Sequence, residues 1–192
     1  YYKYLWDLVP YQYDNVLIRY FGTNSSKGYA AGIDLRLNGE LVEGAESWVS
    51  LSFMKTAEDI IGDSYKAYYD STGNKLANIP RNAGKIVDSA TIYPGYIPRP
   101  TDQLVNFALF FQDYIPKFKF IKVNLSLVFS TGLPFGPPGK VRYTDVLRIP
   151  PYRRLDIGFS GQIWNPDWAK KQNKFNQGIK SAWISLEVFN IF

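Results

Sequence analysis

The residue types best suited to chemistry in this chain are two carboxylates, Asp156 and Glu187, together with Arg154. Two carboxyl groups on neighbouring strands can hydrolyse a glycosidic bond when one stays protonated as the acid. Arg154 would keep both carboxylates ionised, and the sequence indicates no apolar pocket around them. We therefore expect a polar wall that contacts another part of the protein, or charges that are solvated or mutually paired.

A second group is aromatic and falls between two predicted strands. Flat rings in an exposed segment can stack on a ligand such as a sugar, whereas ordinary packing is the competing interpretation. The candidate ligand-binding residues are Tyr65, Tyr68, Tyr69, Tyr93 and Tyr96.

Three acidic residues near these tyrosines, Glu58, Asp59 and Asp63, could offer oxygen ligands to calcium. Their spacing lacks the EF-hand pattern, so a solvated acidic stretch is the preferred interpretation. The sequence predicts no metal site and no cofactor.

The composition restricts the possible functions further. The chain has no cysteine and no histidine, which excludes thiol nucleophiles, imidazole bases and Cys/His metal sites. We expect a protein that is not an enzyme. The net charge of +5 includes a single basic cluster, Lys170, Lys171, Lys174 and Lys180, without a nucleic-acid-binding motif, so no nucleic-acid partner is predicted.

The elements that position these residues follow a two-residue alternation. In 121–130, Ile121, Val123, Leu125, Leu127 and Phe129 alternate with polar residues, a pattern typical of a strand. Similar segments of about ten residues recur, which is the length of a tilted membrane-spanning strand. The predicted strands are Asn15–Phe21, Tyr29–Asn38, Ala45–Thr56, Leu104–Asp113, Lys119–Ser130, Arg153–Ile163 and Ser181–Ile191.

The predicted connections differ in length. Gly39–Gly44 and Tyr114–Phe118 are short, whereas Ala57–Gln103 and Thr131–Tyr152 are long. Outer-membrane barrels combine short periplasmic turns with long extracellular loops in this way. Two connections fit less well, because Thr23–Gly28 is short on the external side and Trp164–Lys180 is long on the periplasmic side.

Five segments in this order carry a family resemblance. They are GYAAGIDLRLNGELVEGAESWVSLSFMKTAEDIIGD, YIPRPTDQLVNFALFFQDYIP, VNLSLVFSTGLPFGPP, RIPPYRRLDIGFS and SLEVFNIF. They are spread from residue 28 to residue 192 and contain about half of the chain, and they resemble the C-terminal barrel portion of the TonB-dependent outer-membrane receptors common in Bacteroidetes.

The resemblance implies about seven antiparallel strands of a 22-stranded barrel in the outer membrane of a Gram-negative cell. It implies import of a scarce ligand, which in this family is a siderophore, a glycan or a peptide. The implied partners are outer-membrane lipid, the remaining barrel strands and plug domain of the same receptor, the TonB complex acting through the plug, and a surface lipoprotein. Relative to the family pattern, the plug and the last strand are expected to lie outside this chain, and Arg154, Asp156 and Glu187 are expected to face the lumen.

Strand counting from the residues alone leads to the same expectation. Single-chain bacterial barrels have an even number of strands, at least about eight, so seven strands do not close. The alternative from another class is a soluble β-sandwich that binds a ligand or carbohydrate, because alternation also fits two sheets packed face to face.

Overall fold

The computed structural model describes residues 1–14, 17–42, 45–76, 82–115, 117–136, 142, 144–168 and 178–191. The described residues form antiparallel strands and two short 3-10 helices, Ala83–Lys85 and Pro166–Trp168. The strands are β1 Tyr2–Leu8, β2 Tyr11–Asp14, β3 Leu17–Tyr20, β4 Ser26–Val42, β5 Ala45–Ile60, β6 Tyr65–Tyr69, β7 Asp88–Ile92, β8 Tyr96–Pro98, β9 Val105–Ile115, β10 Phe118–Ser130, β11 Pro134–Phe135, β12 Leu147–Arg148, β13 Tyr152–Trp164 and β14 Ala182–Val188.

The main sheet has eight strands in the order β1-β4-β5-β9-β10-β13-β14, with β8 pairing to β5 beside this path. The other described sheets are the two-stranded pairs β2/β3, β6/β7 and β11/β12. The predicted all-β, antiparallel fold class is therefore confirmed. No helix among the described residues is long and apolar enough to cross a bilayer.

Strand register explains how the alternation produces two faces. Leu125 of β10 lies opposite Phe111 of β9 and Ile157 of β13, and Ser126 lies opposite Phe110 and Asp156. Directly opposed residues share a face of an antiparallel sheet, so the apolar positions of successive strands line up. The two-residue connection between β9 and β10 includes Lys117, whose φ of 77° is in the left-handed region used by tight hairpins.

The prediction of the first strand was wrong. The first strand of the main sheet is β1, which pairs with β4 from Tyr2 opposite Ala31 to Leu8 opposite Ser26. The predicted strand Asn15–Phe21 overlaps β3, which pairs only with β2 in a separate hairpin. The alternation in β1 is weak in the sequence because the apolar Leu5 stands between the polar positions Lys3 and Asp7.

The predicted ends of two other strands were also too early. β4 reaches from Ser26 to Val42 and β5 from Ala45 to Ile60. The end of β5 continues as a strand because Ala57, Glu58 and Asp59 pair with β8. The predicted loop Ala57–Gln103 thus contains strand residues, including the β6/β7 hairpin.

The chain divides into two compact units. Unit 1 comprises Tyr1–Gly32, Met54–Asp102 and Leu133–Ile149, and unit 2 comprises Ile33–Phe53, Gln103–Gly132 and Pro150–Phe192. The three two-stranded pairs all belong to unit 1. The described strands of unit 2 belong to the main sheet alone, so within its described residues no second sheet covers either face.

Candidate functional site

One face of the sheet in unit 2 is mainly apolar on every strand, although Asp113 lies on it opposite Val123 and Arg153 lies on it opposite Phe129. On β14, for example, Leu186 lies opposite Phe159 of β13 and is 69% exposed, and Leu37 of β4 is 70% exposed. Residues in the middle strands, such as Leu125, are half-buried by their neighbours within the sheet. The apolar face of unit 2 consists of Ile33, Leu35, Leu37, Val49, Leu51, Phe53, Phe107, Leu109, Phe111, Val123, Leu125, Leu127, Phe129, Leu155, Ile157, Phe159, Ile184, Leu186 and Val188.

The opposite face of unit 2 carries the predicted charged residues. Arg154 donates from Nε to both carboxylate oxygens of Asp156 at 2.9 Å, and the Asn190 backbone N–H donates to Asp156 Oδ1 at 2.9 Å. The Arg154 guanidinium also lies 5.3 Å from the centroid of the Phe189 ring. Glu187 lies opposite Gly158, two residues from Asp156 along the neighbouring strand. The structure thus places all three residues on one polar face, with Asp156 held by its own neighbours.

The same face contains two close contacts that the sequence did not predict. Asn124 lies over the backbone of Gly158, where an added Cβ would come within 2.7 Å of the Asn124 Cγ. Lys122 Nζ lies 4.9 Å from the ring centroids of both Tyr114 and Trp183, a double cation–π contact. These contacts order the polar face without an apolar core above it.

Unit 1 contains a buried charged contact centred on Asp102, which is 1% exposed. Asp102 Oδ1 accepts a hydrogen bond from the Thr56 backbone N–H at 2.7 Å, and Arg99 N–H donates to the Thr56 carbonyl at 3.1 Å. Arg148 forms an ion pair with Asp102 Oδ2 and donates from Nη1 to the Asp102 carbonyl at 2.8 Å. The turn from Arg99 to Asp102 thereby completes the hydrogen bonding of β5 between its pairings with β9 and β8.

A second buried carboxylate, Glu58, is 3% exposed and forms an ion pair with Arg142, which is 4% exposed. Arg99 Nε lies 3.3 Å from Glu58 Oε2. The Arg142 guanidinium also lies 5.6 Å from the centroid of the Tyr11 ring. Gly28 of β4 allows a close approach of β5, since a Cβ there would lie 2.5 Å from the Ala57 carbonyl oxygen and 3.3 Å from the Glu58 Cα and Cβ.

The three acidic residues considered as calcium ligands have separate environments, and the preferred interpretation of a solvated acidic stretch was wrong for Glu58, which is buried. Glu58 faces arginines, and Asp59 forms an ion pair with Lys27 at 3.5 Å. Burial raises the pKa of the Asp63 carboxyl, and the charge of Asp59 adds to this increase. Among the described residues, no group of three carboxylates is arranged as a metal site.

Three of the five candidate tyrosines, Tyr65, Tyr68 and Tyr69, lie on β6. Tyr65 and Tyr69 share one side of the β6/β7 hairpin, and Tyr68 points to the other side because side chains alternate along a strand. Tyr93 is 75% exposed. Tyr96 of β8 lies in a row of rings, 5.6 Å from Tyr29 by ring centroids.

Lys170, Lys171 and Lys174 lie outside the described residues. The same is true of much of the predicted connection Trp164–Lys180, of which Pro166–Trp168 form a 3-10 helix. The Trp168 ring lies 6.3 Å from Phe120, edge to face.

Sequence reasoning missed the buried contacts of Glu58 and Asp102, because their partners are 84 and 46 residues away. Acidic residues are seldom buried unless they are paired. The sequence does not show that Glu58 is buried, because it does not show how far β5 extends. The turn-forming sequence Arg99-Pro100-Thr101-Asp102 was the available local signal.

No known protein family matches the chain, and neither a curated protein nor a solved structure is significantly similar to it.

Proposed function

We propose that this chain forms part of the wall of an outer-membrane β-barrel receptor, with the apolar face of unit 2 against lipid and the polar face toward the barrel interior. The observation that carries the proposal is the apolar face itself, which continues across every described strand of unit 2 without a covering layer.

The free energy of hydration explains why this face needs a nonaqueous environment. A strand such as β10 has about five apolar side chains on this face. Exposing each of them to water costs roughly 1.5 to 3 kcal/mol of free energy, or about 8 to 15 kcal/mol per strand. A whole domain has a net stability of about 5 to 15 kcal/mol. Lipid removes this cost, and so would a second sheet. The described residues of unit 2 supply no second sheet, which favours lipid over the soluble β-sandwich.

Aromatic residues in unit 1 support the same environment. The Tyr2 and Tyr29 rings stack with centroids 6.2 Å apart, and Tyr4 and Trp6 are 5.6 Å apart. Trp6 is 67% exposed and Tyr2 is 68% exposed. Exposed tyrosine and tryptophan rings grouped together are typical of the girdle at a membrane–water interface.

Within this class, we propose a TonB-dependent importer in the outer membrane of a Gram-negative cell. This step depends on the five ordered sequence segments that resemble such receptors. The ligand class would be a siderophore, a glycan or a peptide, and the partners would be the remaining strands, the plug, the TonB complex and a surface lipoprotein. In this arrangement Arg154, Asp156 and Glu187 line the interior, where charged side chains are tolerated.

Spin labels at Leu125 and Ser126, in the receptor reconstituted into lipid, test the orientation of the two faces. We expect the label at Leu125 to be more accessible to oxygen than to a water-soluble nickel reagent, because oxygen concentrates in lipid. The adjacent label at Ser126 serves as the matched control and should show the reverse preference. Higher accessibility of the Leu125 label to the nickel reagent would contradict the proposal, and low accessibility to both reagents would indicate a covering protein layer.

A further inference from the structure

A cavity of about 220 Å³ opens on the polar face of unit 2. Its floor includes Gly158 of β13, which lies opposite Asn124 of β10 and Glu187 of β14. Because Gly158 has no side chain, the surface is low at this point, and Asn124 lies over the glycine backbone. The cavity is smaller than the clefts of about 300 Å³ or more that hold whole drug-sized ligands, so it suits a single side-chain group.

Two phenylalanine rings border the cavity, one from β9 and one from the residue that follows β14. The Arg154 guanidinium lies 5.3 Å from the centroid of the Phe189 ring, whereas the Phe110 ring stacks on Trp48 with centroids 6.3 Å apart. Among the described residues, no cation lies over the Phe110 ring. The face of an aromatic ring attracts a cation, so Phe110 offers a position for one that the described chain does not fill.

The charged side chains around the cavity leave one negative charge without a partner. Arg154 donates to both carboxylate oxygens of Asp156, so these two charges compensate each other. Glu187 forms no ion pair with any residue in the described ranges. Asn124 Oδ1 is buried and accepts no hydrogen bond from that part of the chain. The lining therefore has more acceptors than donors, which favours a ligand with a positive charge and several N–H groups.

We propose that this cavity binds the guanidinium group of an arginine-containing peptide. The proposal rests on the proposed function, in which the polar face lines the path of an imported ligand. A guanidinium has five N–H donors, no acceptor and a flat face. Its donors match the Glu187 carboxylate, and its face matches the rings at the border of the cavity. The polar face already pairs guanidinium groups with rings in this way, since Arg36 lies 5.3 Å from the centroid of Trp48.

Other occupants match the cavity less well. A calcium ion needs six to eight oxygen ligands, but Arg154 already occupies Asp156, and the described residues contain no group of three possible metal ligands. A lysine ammonium supplies the charge without the flat face. Among the proposed ligand classes of the receptor, a peptide is the one that carries arginine.

Isothermal titration calorimetry of the lipid-reconstituted receptor with three probes tests the preference for a guanidinium. The probes are acetyl-arginine amide, acetyl-lysine amide and acetyl-citrulline amide, of which citrulline has nearly the shape of arginine without its charge. We expect saturable binding of the arginine probe, with an affinity at least about tenfold higher than that of the citrulline probe. The lysine probe should bind more weakly than the arginine probe. Equal affinities for arginine and either other probe would overturn the proposal.

Glu187→Gln should weaken binding of the arginine probe by about threefold to tenfold, because it removes the carboxylate charge from an exposed position. Glu40→Gln is the matched control, since it makes the same change on β4 at a residue that does not line the cavity. It should leave the affinity unchanged. Equal weakening by the two variants would contradict the assignment to this cavity.

Absence of saturable binding by the arginine probe would also overturn the proposal, and it is the result expected if an arginine of the receptor itself fills the cavity. The spin labels at Leu125 and Ser126 separate this failure from failure of the proposed function. Opposite preferences of the two labels together with absent binding would reject the peptide site alone. Loss of those opposite preferences would reject the orientation of the polar face on which the site depends.

Discussion

At the scale of single residues, the polar face of unit 2 is defined by small side chains as much as by charged ones. Asn124 occupies the space above Gly158, where any larger residue would need the same volume. Ser160 and Ser185 are joined across β13 and β14 by a hydrogen bond of 2.8 Å between their hydroxyl groups. The face therefore carries ordered contacts of short side chains, and each is sensitive to added bulk.

We expect Gly158→Ala to lower the free energy of unfolding by about 1 to 3 kcal/mol, because the new methyl group forces Asn124 out of its position. Denaturant unfolding of the wild type and the variant, both in one detergent, measures the difference in the free energy of unfolding. Gly161→Ala is the matched control on the same strand, since a Cβ at Gly161 meets nothing within 4 Å. Asn124→Ala in combination with Gly158→Ala should recover most of the loss. Equal losses for the two glycine variants would show that contact with Asn124 is not the cause.

The residue scale is also where prediction from sequence fails most clearly. The alternation around Asp156 and Glu187 placed both on the polar side of their strands, because period two depends on neighbouring residues alone. Glu58 and Asp102 were not predicted as buried, because their burial depends on Arg142 and Arg148 from a distant segment. The five tyrosines were grouped by closeness in sequence, and strand alternation places Tyr68 on the other side of β6 from Tyr65 and Tyr69.

At the scale of elements, β10 most clearly separates an apolar face from a polar face. If the apolar face contacts lipid as proposed, we expect Leu125→Arg to destabilise the folded protein by about 2 to 4 kcal/mol, the range for a charge near the bilayer midplane. Ser126→Arg is the matched control and should have a much smaller effect, because Ser126 lies opposite Asp156 on the polar face. Unfolding from lipid vesicles measures both. A larger loss for Ser126→Arg would reverse the assignment of the faces.

The strands were predictable where one period runs through the whole element. The predicted Lys119–Ser130 differs from β10 by one residue at its start, and Arg153–Ile163 differs from β13 by one residue at each end. Strand ends outside the alternating stretch were not predictable, because β5 continues only through its pairing with β8. The main-sheet strand β1 was not predicted, and the predicted strand Asn15–Phe21 overlaps β3 of the separate hairpin.

At the scale of the whole molecule, β1 and β14 end the strand order of the main sheet, and each pairs with one neighbour among the described residues. In lipid, each unpaired N–H or C=O costs several kcal/mol, so both edges need partners. On the proposed barrel assignment, we expect residues 1–192 expressed alone to give no heat-modifiable band on a gel, and coexpression with the further strands of a receptor barrel to produce one. A heat-modifiable band from the 192 residues alone would contradict the need for added strands, and cooperative folding without detergent would favour the soluble sandwich.

The strand order of the main sheet also bears on how the protein folds. From β4 through β5, β9, β10 and β13 to β14, each added strand follows its neighbour in the chain, with longer segments inserted between β5 and β9, β10 and β13, and β13 and β14. Doubling the length of such an insertion adds only about 0.6 kcal/mol to the entropic free-energy cost of closing the loop. The sheet can therefore grow one strand at a time in the direction of synthesis, with each new edge serving as the template for the next. Evolution can lengthen or exchange the inserted segments at little kinetic cost, whereas a change in strand order would require a different folding route.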